Sequence, residues 1–163
     1  MRIRPFLAKD APALAALFHA TIHGIAARDY STAQLHAWSP APPDPDRVLA
    51  RATDGRTMLV AVDDEDEPLA YGDLEADGHI DHLYCRPDAA GTGVTAQLYD
   101  ALEVVAVARG IARLYTEASE PARRFFARRG FALIARRDFK VRGVAIHNHA
   151  MEKRLTSVPP RRQ

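Results

Sequence analysis

Residues 86 to 97 read RPDAAGTGVTAQ, with Gly91 and Gly93 one residue apart between an apolar run and an amphipathic one. Such a pair lets the backbone turn with positive φ and aim its amide hydrogens at a ligand, the outline of a phosphate cradle at a helix start. Glycines also simply end strands, so the flanks have to decide. A second group lies just before, in HIDHLYC, residues 79 to 85. A strand's period of two puts His79, Asp81, Leu83 and Cys85 on one face and Ile80, His82 and Tyr84 on the other. One carboxylate and two imidazoles are thus close together, groups able to hold or pass a proton near neutral pH. Other chemistry-bearing residues have duller readings. His19 and His23 share a helix face without the glutamate of a zinc-protease motif, and His147 and His149 alternate on what reads as an edge strand, as surface residues. Arg123, Arg124, Arg128 and Arg129 read as a solvated helix face, and Cys85 as a small buried apolar residue.

The elements that must hold these groups follow from periodicity. Residues 2 to 7 form a short strand, after which Asp10 caps a helix whose Leu14, Leu17, Phe18, Ile22 and Ile25 share one face. Ser31 caps a second helix, with Leu35 and Trp38 on one face, which Pro40 stops, and Asp46 starts a further turn through Arg51. TMLVAV and PLAYGDLEA, joined by the acidic turn DDEDE, predict an antiparallel hairpin, with HIDHLYC as the next strand. Val94, Leu98, Leu102, Val105 and Ala108 mark a helix that Gly110 ends, and IARLYTEA returns as a strand. Strand, glycine turn, helix and strand make a right-handed βαβ unit, with Gly91 and Gly93 at the carboxyl ends of its parallel strands, where ligands bind. Ser119 then caps a helix through Phe125 and Phe126, and two long strands close the chain as a hairpin around Arg142 and Gly143.

Composition narrows the function classes. The 163 residues, 47% hydrophobic and 26% charged, suit one globular domain over 1–155, with 156–163 expected to be a disordered tail. A net charge of +1 gives no reason to expect a nucleic-acid or acidic-membrane partner. The single cysteine cannot form an internal disulfide, no apolar run reaches the roughly 20 residues of a membrane helix, and the amino terminus lacks the pattern of a signal peptide. A cytoplasmic setting is expected.

The order β, α, α, β, β, β, α, β, α, β, β, with LYCRPDAAGTGVTAQLYDAL at its centre, resembles the GCN5-related N-acetyltransferase (GNAT) family. Leu83, Cys85 and Pro87 match the strand end of that family's cofactor motif, and Ala90, Gly93 and Thr95 its glycine turn. SEPARRFFARRGF is similar to a second family motif through Ser119, Ala122, Phe126, Gly130 and Phe131, and the segment with Tyr30 and Trp38 looks like a bacterial subgroup acting on small molecules. The resemblance implies an α/β (α+β) fold: a mixed, mostly antiparallel sheet of about seven strands, about four helices and the parallel cofactor unit. It implies acetyl-coenzyme A as co-substrate with no metal, and a small-molecule amine that attacks directly in a ternary complex. Ala90, Gly91, Thr92, Gly93, Val94 and Thr95 would surround the pyrophosphate, Leu83, Tyr84 and Cys85 would pair with the pantetheine arm, and Ser119 and Phe126 would complete that site. Asp81 would be the base with His82 or His79 as relay, and His23, Tyr30, Trp38 and Glu117 would line the acceptor site. A homodimer through an edge strand fits the fold. Phe126 stands where the family has a tyrosine proposed to protonate the departing thiolate, so Tyr84, Tyr99 or water would have to substitute. It also keeps open a domain that binds acyl-coenzyme A without efficient transfer.

Overall fold

The computed structural model of the chain describes residues 1–156; the tail expected to be disordered lies, beyond Thr156, outside the described residues. The elements are β1 (Arg2–Pro5), α1 (Ala11–Gly24), α2 (Thr32–Trp38), α3 (Pro45–Ala52), β2 (Thr57–Val62), β3 (Pro68–Leu74), β4 (Leu83–Cys85), α4 (Val94–Ala108), β5 (Arg113–Ala118), α5 (Glu120–Arg128), β6 (Ala132–Val141) and β7 (Val144–Arg154). The expected order holds, with one helix more than anticipated. Pro45 supplies the pre-set φ of a first helical turn, and Asp44 rather than Asp46 caps it, its carboxylate accepting from the Asp46 amide at 2.9 Å. Ser31 caps α2 as expected, in a reciprocal box with Gln34. Asp10 stands at the N-cap of α1 as expected, but its side chain makes no capping bond to that helix; its carboxylate accepts from the Leu7 amide and is clasped by Arg4.

The seven strands form two antiparallel sheets, β1-β2-β3-β4 and β5-β7-β6. A single parallel bridge joins them, His79 to Tyr115. There the Tyr115 amide donates to the Gly78 carbonyl, the Ile80 amide to the Tyr115 carbonyl, and the Thr116 hydroxyl to the Ile80 carbonyl at 2.7 Å. The approach is so close that a Cβ on Gly78 would stand 2.0 Å from the Arg113 carbonyl oxygen, which only glycine permits. Beyond this stitch β4 and β5 make no further ladder bonds among the described residues, and a wedge opens between them.

HIDHLYC is therefore not one continuous strand. Only Leu83–Cys85 pairs regularly with β3, because the amides of Asp81 and His82 both turn inward to donate to Asp73 Oδ1, each at 2.9 Å. Below the wedge, Leu102 and Ala106 of α4 pack with Leu74, Ile80, Leu114, Phe126 and Met151, Leu98 packs with Ala61, Ala70 and Cys85, and Leu14 and Leu17 of α1 cover β2 and β3. Burial of these apolar faces drives the assembly. His147 and His149 are not on an edge: β7 is the central strand of its sheet, and β6 is the edge, with Leu133, Ile134 and Phe139 exposed. No helix among the described residues is long and apolar enough to cross a membrane.

Candidate active site

The wedge continues into a cleft of about 1010 Å³. One wall is β4 with the glycine turn, the other runs from Thr116 through Ser119 into α5, and β6, β7, α1 and Trp38 close the far end. The sequence's glycine argument holds in the backbone: Gly91 and Gly93 have φ of +77° and +86°, and Gly93 is the residue from which α4 starts. A helix cannot satisfy its own first amides. Those of Gly93, Val94, Thr95 and Ala96 have no acceptor among the described residues, and the helix dipole adds positive potential there. A Cβ built on either glycine meets nothing within 4 Å, so open space lies in front of the turn. Ala90, Val94 and Thr95 line the cleft with the glycines, whereas Thr92 does not and donates its hydroxyl to the Ala89 carbonyl instead of offering it to a ligand.

Leu83, Tyr84 and Cys85 line the same wall, with the outer edge of β4 facing the wedge. Burial pushes the Cys85 thiol up, consistent with an apolar role. Ser119 lines the cleft and caps α5, its hydroxyl accepting from the Ala122 amide. Phe126 borders the cleft with 2% of its surface exposed and is packed against Tyr99 and Phe131. Tyr99 cannot stand in for the missing tyrosine, since it is buried outside the cleft lining and donates its hydroxyl to Glu103. Tyr84 does line the cleft, and its hydroxyl has no partner among the described residues.

The ionisable groups are arranged differently from a simple strand face. Asp81 lines the cleft, but its carboxylate is bound by Arg51. Burial alone would raise its pKa; the guanidinium bond and the charges of His82 and Arg51 outweigh that and lower it, which makes it a weak base. His82 stacks on Phe18, bonds to the Tyr71 hydroxyl at 2.9 Å, and is pulled down to about 4 by burial and by Arg51, so it is neutral at pH 7. A third arrangement joins the walls at the stitch. His79 Nε2 lies 2.6 Å from Glu117 Oε2 and its Nδ1 lies 2.8 Å from Glu75 Oε1. Burial opposes the charged ring, but the two carboxylates prevail and raise its pKa. Glu117 pairs with His79, while of the arginines on the neighbouring helix Arg123 binds Glu120 and Arg124 binds Asp29.

At the far end of the cleft, Tyr30 and Trp38 line it edge to face, ring centroids 5.7 Å apart. The Tyr30 hydroxyl is spent on the fold, accepting from the Glu120 amide and donating to the His147 carbonyl, each at 3.0 Å. His23 is not in the cleft lining: its Nε2 donates to the Ser39 carbonyl and its ring lies between His19 and His36. Of the basic helix, Arg128 and Arg129 line the cleft, and Arg129 is tied to Asp100.

Two features escaped the sequence reading. Asp73 is completely buried, with Oδ2 bound by Arg51 Nε at 3.2 Å and Arg56 Nη1 at 2.9 Å while Oδ1 holds the Asp81 and His82 amides. It is the penultimate residue of β3, in an otherwise apolar run, and no local pattern marks it. The other is the convergence of His147 and His149 on Glu120, whose pKa hydrogen bonds from His149, His147 and Arg123 pull down to about 2 against the effect of burial.

Comparison with known proteins accords with this geometry. A family model described as an acetyltransferase (GNAT) domain matches residues 26–155. The fold is similar to a protein described as "GCN5-Related N-acetyltransferase: Aminotransferase, Class-II" from Rhodopseudomonas palustris, with 38% identity, a TM-score of 0.87, and 94% of this chain and 95% of that chain covered. It is also similar to a GNAT superfamily phosphinothricin acetyltransferase from Sinorhizobium meliloti in complex with acetyl-coenzyme A (19% identity, TM-score 0.74, 94% and 88% covered). A third is the PaiA N-acetyltransferase from Thermoplasma acidophilum in complex with coenzyme A (16%, 0.74, 94% and 98%). The latter two speak to fold alone. No curated protein matches the chain.

Proposed function

Because the chain belongs to the GNAT acetyltransferase family, we propose that it is one catalytic domain that transfers the acetyl group of acetyl-coenzyme A to the amine of a small-molecule acceptor, by direct attack within a ternary complex. The observation that carries this reading is the wedge between β4 and β5, entered from the α4 amides and lined by Gly91, Gly93, Val94 and Thr95. These residues fit the coenzyme: unpaired amides at a positive helix end suit a pyrophosphate, and the outer edge of β4 suits an amide-rich arm laid alongside it as an added strand. Arg128 is one of the cleft's cations, beside Arg129 and Arg137, with which a further phosphate would pair. When bound, the coenzyme supplies an activated thioester.

The chain's own groups then manage the proton. An amine must lose one to attack, and two carboxylates border the acceptor end. Asp81, with His82 as relay, is the pair expected from the strand; bound by Arg51, it serves to hold an incoming ammonium as much as to deprotonate it. Glu117, coupled to His79 at 2.6 Å, is the better placed receiver because its partner imidazole shares the charge it accepts. Tyr84 is the hydroxyl available to the departing thiolate. Loss of the family's tyrosine at Phe126 costs little here, because a thiol of pKa about 8.5 leaves readily unaided. Trp38 and Tyr30 give the acceptor an aromatic wall. The exposed β6 edge is where a second copy would pair.

The test is thermal unfolding with and without acetyl-coenzyme A, followed by a panel of amines with a thiol-release readout. A ligand at 100 times its Kd adds about 2.7 kcal/mol, a rise of several degrees. No shift at millimolar coenzyme refutes the site, and a shift with no thiol release above background for any amine supports the binding-only domain that Phe126 favours. Among responding amines, Glu117→Gln is expected to lower kcat/KM most at low pH, and Asp81→Asn to raise KM for the acceptor.

A further inference from the structure

Glu120 opens α5, and His147 and His149, two residues apart on β7, both aim at it. Each Nε2 lies 2.8 Å from the same oxygen, Glu120 Oε1, while Glu120 Oε2 is taken by Arg123 at 3.0 Å. A carboxylate only accepts hydrogen bonds, so without a cation both imidazoles must present Nε2–H to one oxygen. Their three donor atoms lie within 4.8 Å of one another, so a small inward movement of the imidazoles brings them onto one ion, whose bonds of about 2.0–2.1 Å hold two ligand atoms no more than about 4.2 Å apart. We propose that Glu120 Oε1, His147 Nε2 and His149 Nε2 bind one divalent transition-metal ion of the zinc type at the acceptor end of the cleft.

The chemistry of the set selects the ion. Two imidazoles and one carboxylate suit zinc and its neighbours, whereas calcium and magnesium call for oxygen ligands throughout. The set is also held in place before any ion arrives. The Tyr30 hydroxyl ties the Glu120 amide to the His147 carbonyl, which fixes the backbone of two ligands, and Arg123 orients the carboxylate from outside, as outer partners of metal sites do. Of the three ligands His147 lines the cleft and Glu120 and His149 do not, so an open position on the ion would be reached from the His147 side. One detail limits affinity. His149 is 8% exposed and its Nδ1, which must carry the ring proton when Nε2 binds metal, has no partner among the described residues. A missing outer partner typically costs 10- to 100-fold in affinity, so reversible binding is expected.

The test uses the full, untagged chain stripped with chelator and titrated with Co²⁺, whose visible ligand-field band reports coordination, followed by displacement with Zn²⁺. One Co²⁺ per chain with the intense band of a four- or five-coordinate site, displaced by Zn²⁺, is expected. His147→Asn and Glu120→Gln should each weaken binding by about tenfold or more, while His23→Ala, in the separate His19, His23 and His36 group, should leave it unchanged. Melting curves identify any variant that fails to fold; His147, bordering the cleft, is the safer of the two and decides the matter. A weak six-coordinate spectrum in the parent chain, or His147→Asn binding Co²⁺ as the parent does, overturns the proposal.

Discussion

Asp73→Ala should be among the most damaging single changes outside the apolar core. The carboxylate has no exposed surface and accepts four hydrogen bonds, at 2.9 Å from the Asp81 amide, 2.9 Å from the His82 amide, 3.2 Å from Arg51 and 2.9 Å from Arg56. Bonds to a charged group contribute about 1.5–3 kcal/mol each, but four on one carboxylate do not add, and breaking a buried charge network typically costs 3–5 kcal/mol. Arg51 and Arg56 retain 24% and 11% exposure and recover part of their hydration, which favours the lower end, about 3 kcal/mol. In a chain of this length that lowers Tm by roughly 6–12 °C. Asp73→Asn keeps Oδ1 for the two amides but turns an NH2 group toward two guanidinium groups, so it should cost about 2 kcal/mol while preserving the bend into β4. Urea unfolding followed by the fluorescence of Trp38, the chain's one tryptophan, measures both, and the coenzyme-induced rise in Tm should shrink more for Ala than for Asn. If Asp73→Ala unfolds within about 1 kcal/mol of the parent chain, the clamp does not hold the wedge open.

Other outcomes follow from single geometries. Gly93→Ala places a side chain at φ +86° with nothing for its Cβ to strike, so only backbone strain applies: a loss of about 1–2 kcal/mol in a melt, together with weaker coenzyme binding. Tyr30→Phe leaves the part-buried Glu120 amide and His147 carbonyl without their shared partner and should cost about 1–2 kcal/mol; an unchanged Tm would mean that water replaces the hydroxyl. His82 is neutral in the fold down to about pH 4 but titrates near 6.5 when unfolded, so its contribution is complete above 6.5 and is lost as pH falls toward 4, up to about 3 kcal/mol. His82→Phe should flatten stability against pH within that window, and an unaltered slope would assign the acid sensitivity to other groups.

The parts legible in the sequence are those whose cause is local. Gly91 and Gly93 announce positive φ because no other residue adopts it cheaply, Ser31 announces its helix because the bonds it makes lie three residues away, and the apolar face of α4 repeats with the helical period. The family motifs lie in such segments, so the fold and the glycine turn that opens α4 could be read from the chain alone. Where local pattern misled, a distant partner intervened. HIDHLYC has the alternation of a strand, yet Asp73 draws two of its amides inward and Arg51, thirty residues before Asp81, takes the expected base. His147 and His149 look like surface residues until β7 is seen as a central strand that brings them to Glu120, 27 and 29 residues away. Glu117 finds His79 across the seam between two sheets rather than a nearby arginine. Charges and imidazoles carry no periodic signature of their partners, because electrostatic pairing acts through space and depends on the dielectric that burial creates; only the packed structure decides which charge meets which.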